Sequence, residues 1–447
     1  MLDISHRSVT LGVAAVAKGA GVAEQKQVFV KCAWRLIPLI MLLYFANITD
    51  RVNVGFAALT MNRDLGFSPA VYGFGASAFF IGYALFQIPA NAILERVGAR
   101  RWIFLILLVW GALSAANAAV HNAQQFYAVR ILLGIVEAGF FPGMILYLTY
   151  WFTKSFRARL VALFMAAVPL ANVVGAPLSS LILELNGMGG LAGWQWLFVL
   201  EGVPTILLAF VVLTILPDKP ANAPWLNDQE RSIIAARLKS DDTSEHRDFL
   251  AVFGDLRVYA LGVVYFGYSI AFYGVGLWMP LIVQGMGVSN LMIGFVIAPA
   301  YFVAVVAMIL WGRSSDRRGE RVWHVALPAL MMMTAFLIGS VVQNNFVVYL
   351  MLSLVLVGSM ALQGPFWVLP STFLGSAAAA SGIALINTMG TAAGGFAGPY
   401  IVGLLKQATG GYALGMVALA IGPLLTAGIV LILGRQARRA EIAKAAA

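Results

Sequence analysis

The chain has 447 residues, 61% hydrophobic and only 11% charged, whereas soluble globular proteins carry about 25% charge, so a soluble fold is excluded and a polytopic membrane protein is expected. Its net charge is +10, from 29 Lys and Arg against 19 Asp and Glu, but the basic residues are scattered over short links, which argues against a nucleic-acid surface. One cysteine, Cys32, leaves no disulfide framework within the chain, and His6, His121, His246 and His324 lie too far apart in sequence for a metal motif.

Residues 1–35 are mixed and polar, without a short apolar core and cleavage site, and read as a retained cytoplasmic tail. About twenty apolar residues cross a bilayer, and on that scale twelve spans are predicted. The first six lie near 36–58, 70–91, 102–120, 126–152, 159–183 and 195–216. A polar central linker, 217–256, separates them from six more near 258–283, 291–311, 322–342, 346–370, 382–405 and 412–434. The fold class is therefore all-α integral membrane, with one six-helix bundle over 36–216, a second over 257–434, and a cytoplasmic tail over 435–447. In the linker, Asn227 and Glu230 have the spacing of a capping box, and Ile233, Ile234 and Leu238 share one face of the helix it would start. That helix is expected on the cytoplasmic surface, tying the two halves together.

Basic residues set the orientation. Lys26, Lys31 and Arg35 precede span 1; Arg96, Arg100 and Arg101 follow span 2; Lys154, Arg157 and Arg159 follow span 4. Arg313, Arg317, Arg318 and Arg321 follow span 8, and Arg435, Arg438 and Arg439 follow span 12. The opposite links hold only Arg63 and Lys406. By the positive-inside rule both termini are cytoplasmic, in the inner (plasma) membrane.

Against this apolar background four charges stand out. Asp50 and Arg51 lie in span 1, Arg130 and Glu137 in span 4. A charge at mid-helix costs about 2.5–3.5 kcal/mol even on lenient insertion scales, and a buried ion pair gains little over an apolar pair of equal volume. A functional use is the better reading. Seven residues apart, Arg130 and Glu137 fall on roughly one helix face, separated by about 10 Å, and the four charges are expected to form one network of zero net charge. An entering carboxylate would pair with Arg51, whose planar guanidinium holds carboxylates by two parallel hydrogen bonds. Glu137 or Asp50 would compete when ionised and withdraw when protonated. Glu201, early in span 6 below Trp194 and Trp196, is expected to be an interfacial structural carboxylate. The Gly- and Pro-rich stretches 173–180 and 394–399 are expected to pack closely or bend rather than bind substrate.

A shift of 221 residues superposes the halves: GFSPAVYGF (66–74) falls on GVSNLMIGF (287–295), and Glu95 and Gly98 fall on Asp316 and Gly319. The repeated acidic-basic-x-Gly cluster, Glu95-Arg96 after span 2 and Asp316-Arg317 after span 8, reads as a conformational latch at the cytoplasmic end. With these loops the chain resembles the major facilitator superfamily over essentially its whole length. DRVNVGFA (50–57), GYALFQIPAN (82–91), RILLGIVEAGFFPG (130–143), WLFVLEGVP (196–204), GPFWVLPSTFL (364–374) and INTMGTAAGGFAGP (386–399) make it similar to the anion:cation symporter group within it. That group includes tartrate, sugar-acid and aromatic-acid carriers. The first loop departs from the family pattern, with Asn91 and Glu95 where a small residue and Asp are usual.

The resemblance implies two pseudo-symmetric bundles that rock about a midplane site. It implies Asp50 and Glu137 as protonation sites and Arg51 as a substrate ligand, and it places Trp367 and Asn387 in the binding site with Tyr83 facing them. Arg130 and Ser371 complete the candidate substrate-binding set, beside Gln363 and Thr388. The activity expected is proton-coupled import of a small organic carboxylate, by a monomer whose partners are the anion, protons and the lipid bilayer, with no cofactor or metal. Anion exchange or uniport without net proton movement is the alternative. A membrane enzyme is disfavoured, since the chain lacks a histidine-metal cluster or GxSxG elbow, and no GxxxxGK[ST] motif supports ATP-driven transport.

Overall fold

In a bilayer every backbone N–H and C=O must be satisfied within the span, which leaves an apolar chain of this length to fold as helices. The computed structural model describes the backbone of residues 4–165, 167–241, 254–373, 382–383 and 385–446. Side chains are described from residue 24 onward within those ranges, except at a few positions that include Glu95 and 371–373.

The first half comprises α1 (Ile4–Asp64), α2 (Pro69–Val97), α3 (Ala99–Ala116), α4 (Ala123–Glu137), α5 (Phe140–Thr149), α6 (Lys154–Met165), α7 (Ala167–Leu183) and α8 (Gly193–Ile215). The linker forms α9 (Asp228–Asp241). The second half comprises α10 (Leu256–Gly285), α11 (Asn290–Arg318), α12 (Val322–Val341), α13 (Asn345–Phe373), a π-helical turn (Met389–Gly394), α14 (Gly395–Thr409) and α15 (Ala413–Ala446). Among the described residues, eleven helices are long and apolar enough to cross a membrane. Residues 385–388, the π-turn and α14 follow one another in the place of the remaining span. The expected all-helical, twelve-span class is what the chain adopts.

Local sequence sets the helix ends. Ser68 caps α2 by accepting from Val71 N, with Pro69 at the first helical position. Asn122 and Asp255 cap α4 and α10 in the same way. In α9, Glu230 N donates to Asn227 Oδ1 (2.8 Å) and Asn227 N donates to Glu230 Oε2 (2.9 Å), a reciprocal capping box. The hydrogen bonds of α9 run to α1: Lys31 Nζ lies 2.7 Å from Glu230 Oε1, Gln229 Nε2 donates to Glu24 Oε1 at 2.7 Å, and Arg237 donates to Gln25. Residues 24–35 thus belong to α1 and seat the linker helix on the first bundle.

The bundles meet along α1 with α10, α2 with α14, and α7 with α11. Exchanging the halves maps span 2 onto span 8 and span 5 onto span 11, so the last two contacts are one interface used twice. Four hydrogen bonds between bundles lie at the end away from the basic links. Tyr72 Oη donates to Leu277 O (2.7 Å), Gln284 Nε2 to Leu59 O (3.1 Å), Gly294 N to Ser180 Oγ (2.9 Å) and Ser68 Oγ to Gln407 Oε1 (2.8 Å). Backbones touch there, since a Cβ on Gly73 would lie 2.9 Å from Pro399 O and 3.1 Å from Gly403 Cα. At the basic end Asp316 pairs with Arg321 of its own bundle at 2.8 Å, and Arg96 and Arg317 are exposed. The Glu95 side chain lies outside the described residues.

Candidate functional site

Arg51 lies thirteen residues before the end of α1 and Glu137 fourteen after the start of α4. Both helix ends belong to the same side of the bundle, so a rise of about 1.5 Å per residue brings the two to one depth, about 20 Å in. They meet there: Arg51 Nε lies 2.9 Å from Glu137 Oε2. Asn47, one turn earlier in α1, donates from Nδ2 to the same oxygen at 2.6 Å. Glu137 is fully buried, and its other oxygen, Oε1, has no partner among the described residues.

Two glycines bring α4 against α2 at this depth. A Cβ on Gly82 would fall against Ile131 O, and one on Gly134 against Phe79 O, so α2 and α4 touch through their glycines. That approach lays Phe79 and Tyr83 beside the cations. The Arg51 guanidinium stands 4.9 Å from the Tyr83 ring and 5.3 Å from Phe79, and Arg130 stands 5.3 Å from the same Phe79. The helix of span 4, expected to be continuous from 126 to 152, breaks immediately after Glu137, where α4 ends and α5 starts at Phe140. Gly139 sits in the break because a Cβ there would meet Ala90 Cβ at 2.8 Å.

The four charges do not form one hydrogen-bonded network. Asp50 faces α3: Trp110 Nε1 donates to its Oδ2 at 2.9 Å and Ser114 Oγ donates to its Oδ1. Asn53 Nδ2 also reaches Asp50 Oδ1, at 3.3 Å. Arg130 is buried, with no carboxylate at ion-pair distance among the described residues and with Nε unpartnered, and it acts on Asp50 and Glu137 through space. Adjacent residues on α1 point to different neighbours because successive helical positions are rotated by about 100°.

From the second bundle, Tyr273 of α10 lies against Arg51 and packs edge-on to Phe80 at 4.6 Å. The sequence reading missed it, since a tyrosine in an apolar span carries no mark of its neighbours. Trp367 packs on Tyr265 at 4.8 Å and Phe366 at 5.1 Å, within an aromatic wall that continues through Tyr268 to Phe272. Asn387 accepts from Thr391 Oγ1 at 3.2 Å, and Thr388 Oγ1 donates to Gln87 Oε1 across the bundles at 2.9 Å. The π-turn begins two residues after Asn387, and such turns widen a helix locally at the expense of regular bonding. The Ser371 side chain lies outside the described residues.

Glu201 corrects an expectation. It sits eight residues into α8, about 12 Å from that helix's start, and not at the interface. Asn53 Nδ2 donates to its Oε2 at 2.6 Å, and Ser179 Oγ approaches its Oε1 at 3.5 Å.

Residues 40–399 match the Major Facilitator Superfamily. The chain belongs to that superfamily. It is a membrane transporter and not an enzyme. It is 45% identical over 420 residues to a protein of Agrobacterium vitis named "Putative tartrate transporter", covering 93% of each chain. It is 40% identical over 395 residues to a Pseudomonas putida protein named "Putative metabolite transport protein NicT", covering 86% of this chain and 89% of that one. The fold is similar to the crystal structure of a bacterial homolog to the human lysosomal transporter Spinster, in an inward-facing and unoccupied conformation. There the TM-score is 0.76 at 17% identity, over 93% of this transporter and 98% of that chain.

Proposed function

We propose that this transporter imports a small organic carboxylate together with protons by alternating access, with both termini on the cytoplasmic side of the inner membrane, as a monomer. The observation that carries the reading is the buried Arg51–Glu137 pair, in which, among the described residues, Arg51 Nη2 is left without a partner while Arg130 Nε stands unpartnered in the same bundle. Buried guanidinium N–H groups without acceptors are costly, and an anion supplies acceptors. The relatives' names, a tartrate transporter and a metabolite transport protein, support a tartrate-like hydroxy acid, a sugar acid or an aromatic acid as that anion.

In this reading Glu137 and the substrate carboxylate compete for Arg51. Proton uptake by Glu137 releases the guanidinium, which then holds the carboxylate by two parallel hydrogen bonds. Asp50 is the second proton site. Tyr83 and Arg130 flank the anion from the first bundle, while Trp367, Ser371 and Asn387 contact its hydroxyls and apolar surface from the second. Glu95, Arg96, Asp316 and Arg317 form a latch that engages across the bundles at the cytoplasmic end when the opposite end opens. The hydrogen bonds between bundles at the far end, with Asp316 held inside its own bundle, support a cytoplasm-open state for this structure.

The test is uptake into proteoliposomes under an imposed pH gradient, with a panel of hydroxy, sugar and aromatic acids, recording substrate and proton movement together. Accumulation that follows the proton gradient supports the reading. Substrate movement without proton movement would replace it with exchange or uniport.

A further inference from the structure

The mechanism above uses two buried carboxyls, but the first bundle contains a third carboxyl, half-buried, on α8. Glu201 shares with Asp50 a single hydrogen-bond partner, the amide of Asn53, which reaches Glu201 Oε2 at 2.6 Å and Asp50 Oδ1 at 3.3 Å. Glu137 has Arg51 as its ion partner, whereas Glu201 has no cation within ion-pair distance among the described residues. A half-buried carboxylate inside an apolar span, without a cation beside it, is carried more cheaply as the neutral acid.

The second observation is the amide itself. Asn53 is 1% exposed, and its Oδ1 has no donor among the described residues. A buried acceptor of this kind calls for a donor, and a protonated carboxyl is one. Turning the amide over places Oδ1 at the Glu201 contact, where a protonated Glu201 donates to it, and withdraws the N–H from Asp50, which keeps Trp110 and Ser114 as donors. The separation fits: 2.6 Å is short for N–H···O, which spans about 2.7–3.2 Å, and ordinary for O–H···O. The Asn47–Glu137 contact is equally short, but there Arg51 supplies the opposing charge.

We infer that Glu201 is a third proton site of this transporter, titrating as one unit with Asp50 through the Asn53 amide. The inference rests on the proposed proton coupling for its role in transport, though not for its detection. The charged and titratable groups around the unit are Asp50 itself, with Arg51 beside it on α1, and Arg130 and Glu137 on α4. The neighbours from α3 and α7, Trp110, Ser114 and Ser179, do not titrate. When the unit gains a proton, Glu201 becomes a donor to Asn53 Oδ1. When that proton leaves for water, the amide returns its N–H to both carboxylates. A carboxyl so placed lets the state of Asp50, next to Arg51 on α1, be set from α8.

The experiment is pH-difference infrared spectroscopy of the full chain in liposomes without added substrate, reading carboxylic-acid C=O bands. Wild type should show an acid band that Glu201→Gln removes. Asp50→Asn should move the midpoint of that band by about one pH unit or more, the size that marks coupled titration. On an Asn53→Leu background, Asp50→Asn should no longer move it. Glu201→Asp keeps a carboxyl one methylene shorter and should displace the same band, which decides the matter if the Gln variant does not fold. Acid bands unchanged in the Glu201 variants would overturn the proton site. A midpoint indifferent to Asp50→Asn, or one still moved by it without Asn53, would overturn the shared unit. A wild type that moves substrate without protons would remove proton coupling while leaving these band assignments as measured.

Discussion

Arg51 and Glu137, eighty-six positions apart in the chain, meet at 2.9 Å through a single guanidinium nitrogen, Nε, on a single carboxylate oxygen. The pairing is one-armed: Arg51 Nη2 and Glu137 Oε1 are both buried and both unpartnered among the described residues. A resting pair of that kind is easier to exchange than a two-armed one, because the incoming carboxylate finds a donor already free. Arg51→Lys keeps the charge and loses the fork. Hydrogen bonds to charged groups contribute about 1.5–3 kcal/mol, so affinity for the transported carboxylate should fall by about tenfold or more. Calorimetric titration checks this, and wild-type affinity in the Lys variant would remove Arg51 from the clamp.

Asp316→Asn addresses the latch. Among the described residues Asp316 pairs within its own bundle, with Arg321 at 2.8 Å and with its own side chain 72% exposed. A surface pair of this kind contributes about 0–1 kcal/mol, so melting temperature should hardly move. Transport rate should change while substrate affinity stays near wild type. Lost binding in a folded variant would give Asp316 a different purpose.

The glycine contact at the far end predicts a conformational shift. A Cβ on Gly403 would lie 2.5 Å from Pro69 O and 3.1 Å from Gly73 Cα, both across the bundle interface. Gly403→Val should wedge α2 from α14 and open that end. Spin labels at the exposed Arg63 and Thr409 should then report a longer distance than in the parent protein. An unchanged distance would mean that the interface yields elsewhere.

At the linker helix the sign of a pH effect follows from one ion pair. The Lys31 ammonium, together with the Asn227 N–H, holds the Glu230 carboxyl below its ordinary range. Stability from this pair is therefore complete above the ordinary carboxylate value, about 4.3, and is lost as pH falls through the lowered one. With Lys31 40% exposed, screening limits the contribution to about 1 kcal/mol or less. Glu230→Gln retains the capping geometry. Its melting temperature should sit slightly below wild type at pH 7 and converge with it in acid.

Much of this was legible in the sequence, for physical reasons. Hydrophobic length gave the spans, and a charge inside an apolar run stands out without knowledge of its partners, which is why Asp50, Arg51, Arg130 and Glu137 could be picked. Their pairing could not. Asp50 turned to Trp110 and Ser114 instead of joining Arg130, because helix rotation and interhelical distance settle contacts that spacing alone leaves open. Glu201 looked interfacial because two tryptophans precede it, yet the start of α8 lies far enough out to carry it inside, to Asn53. Tyr273 gave no signal at all, being one aromatic among many until α10 is set against α1.

The central claim is that protonation of Glu137 frees Arg51 for the substrate, and Glu137→Gln tests it most directly. Glutamine fixes the neutral state at nearly constant volume. In proteoliposomes the variant should still bind the carboxylate and exchange it between equal pools, and should no longer accumulate it against its gradient when a pH gradient is imposed. Uphill accumulation at the wild-type level in Glu137→Gln would contradict the account.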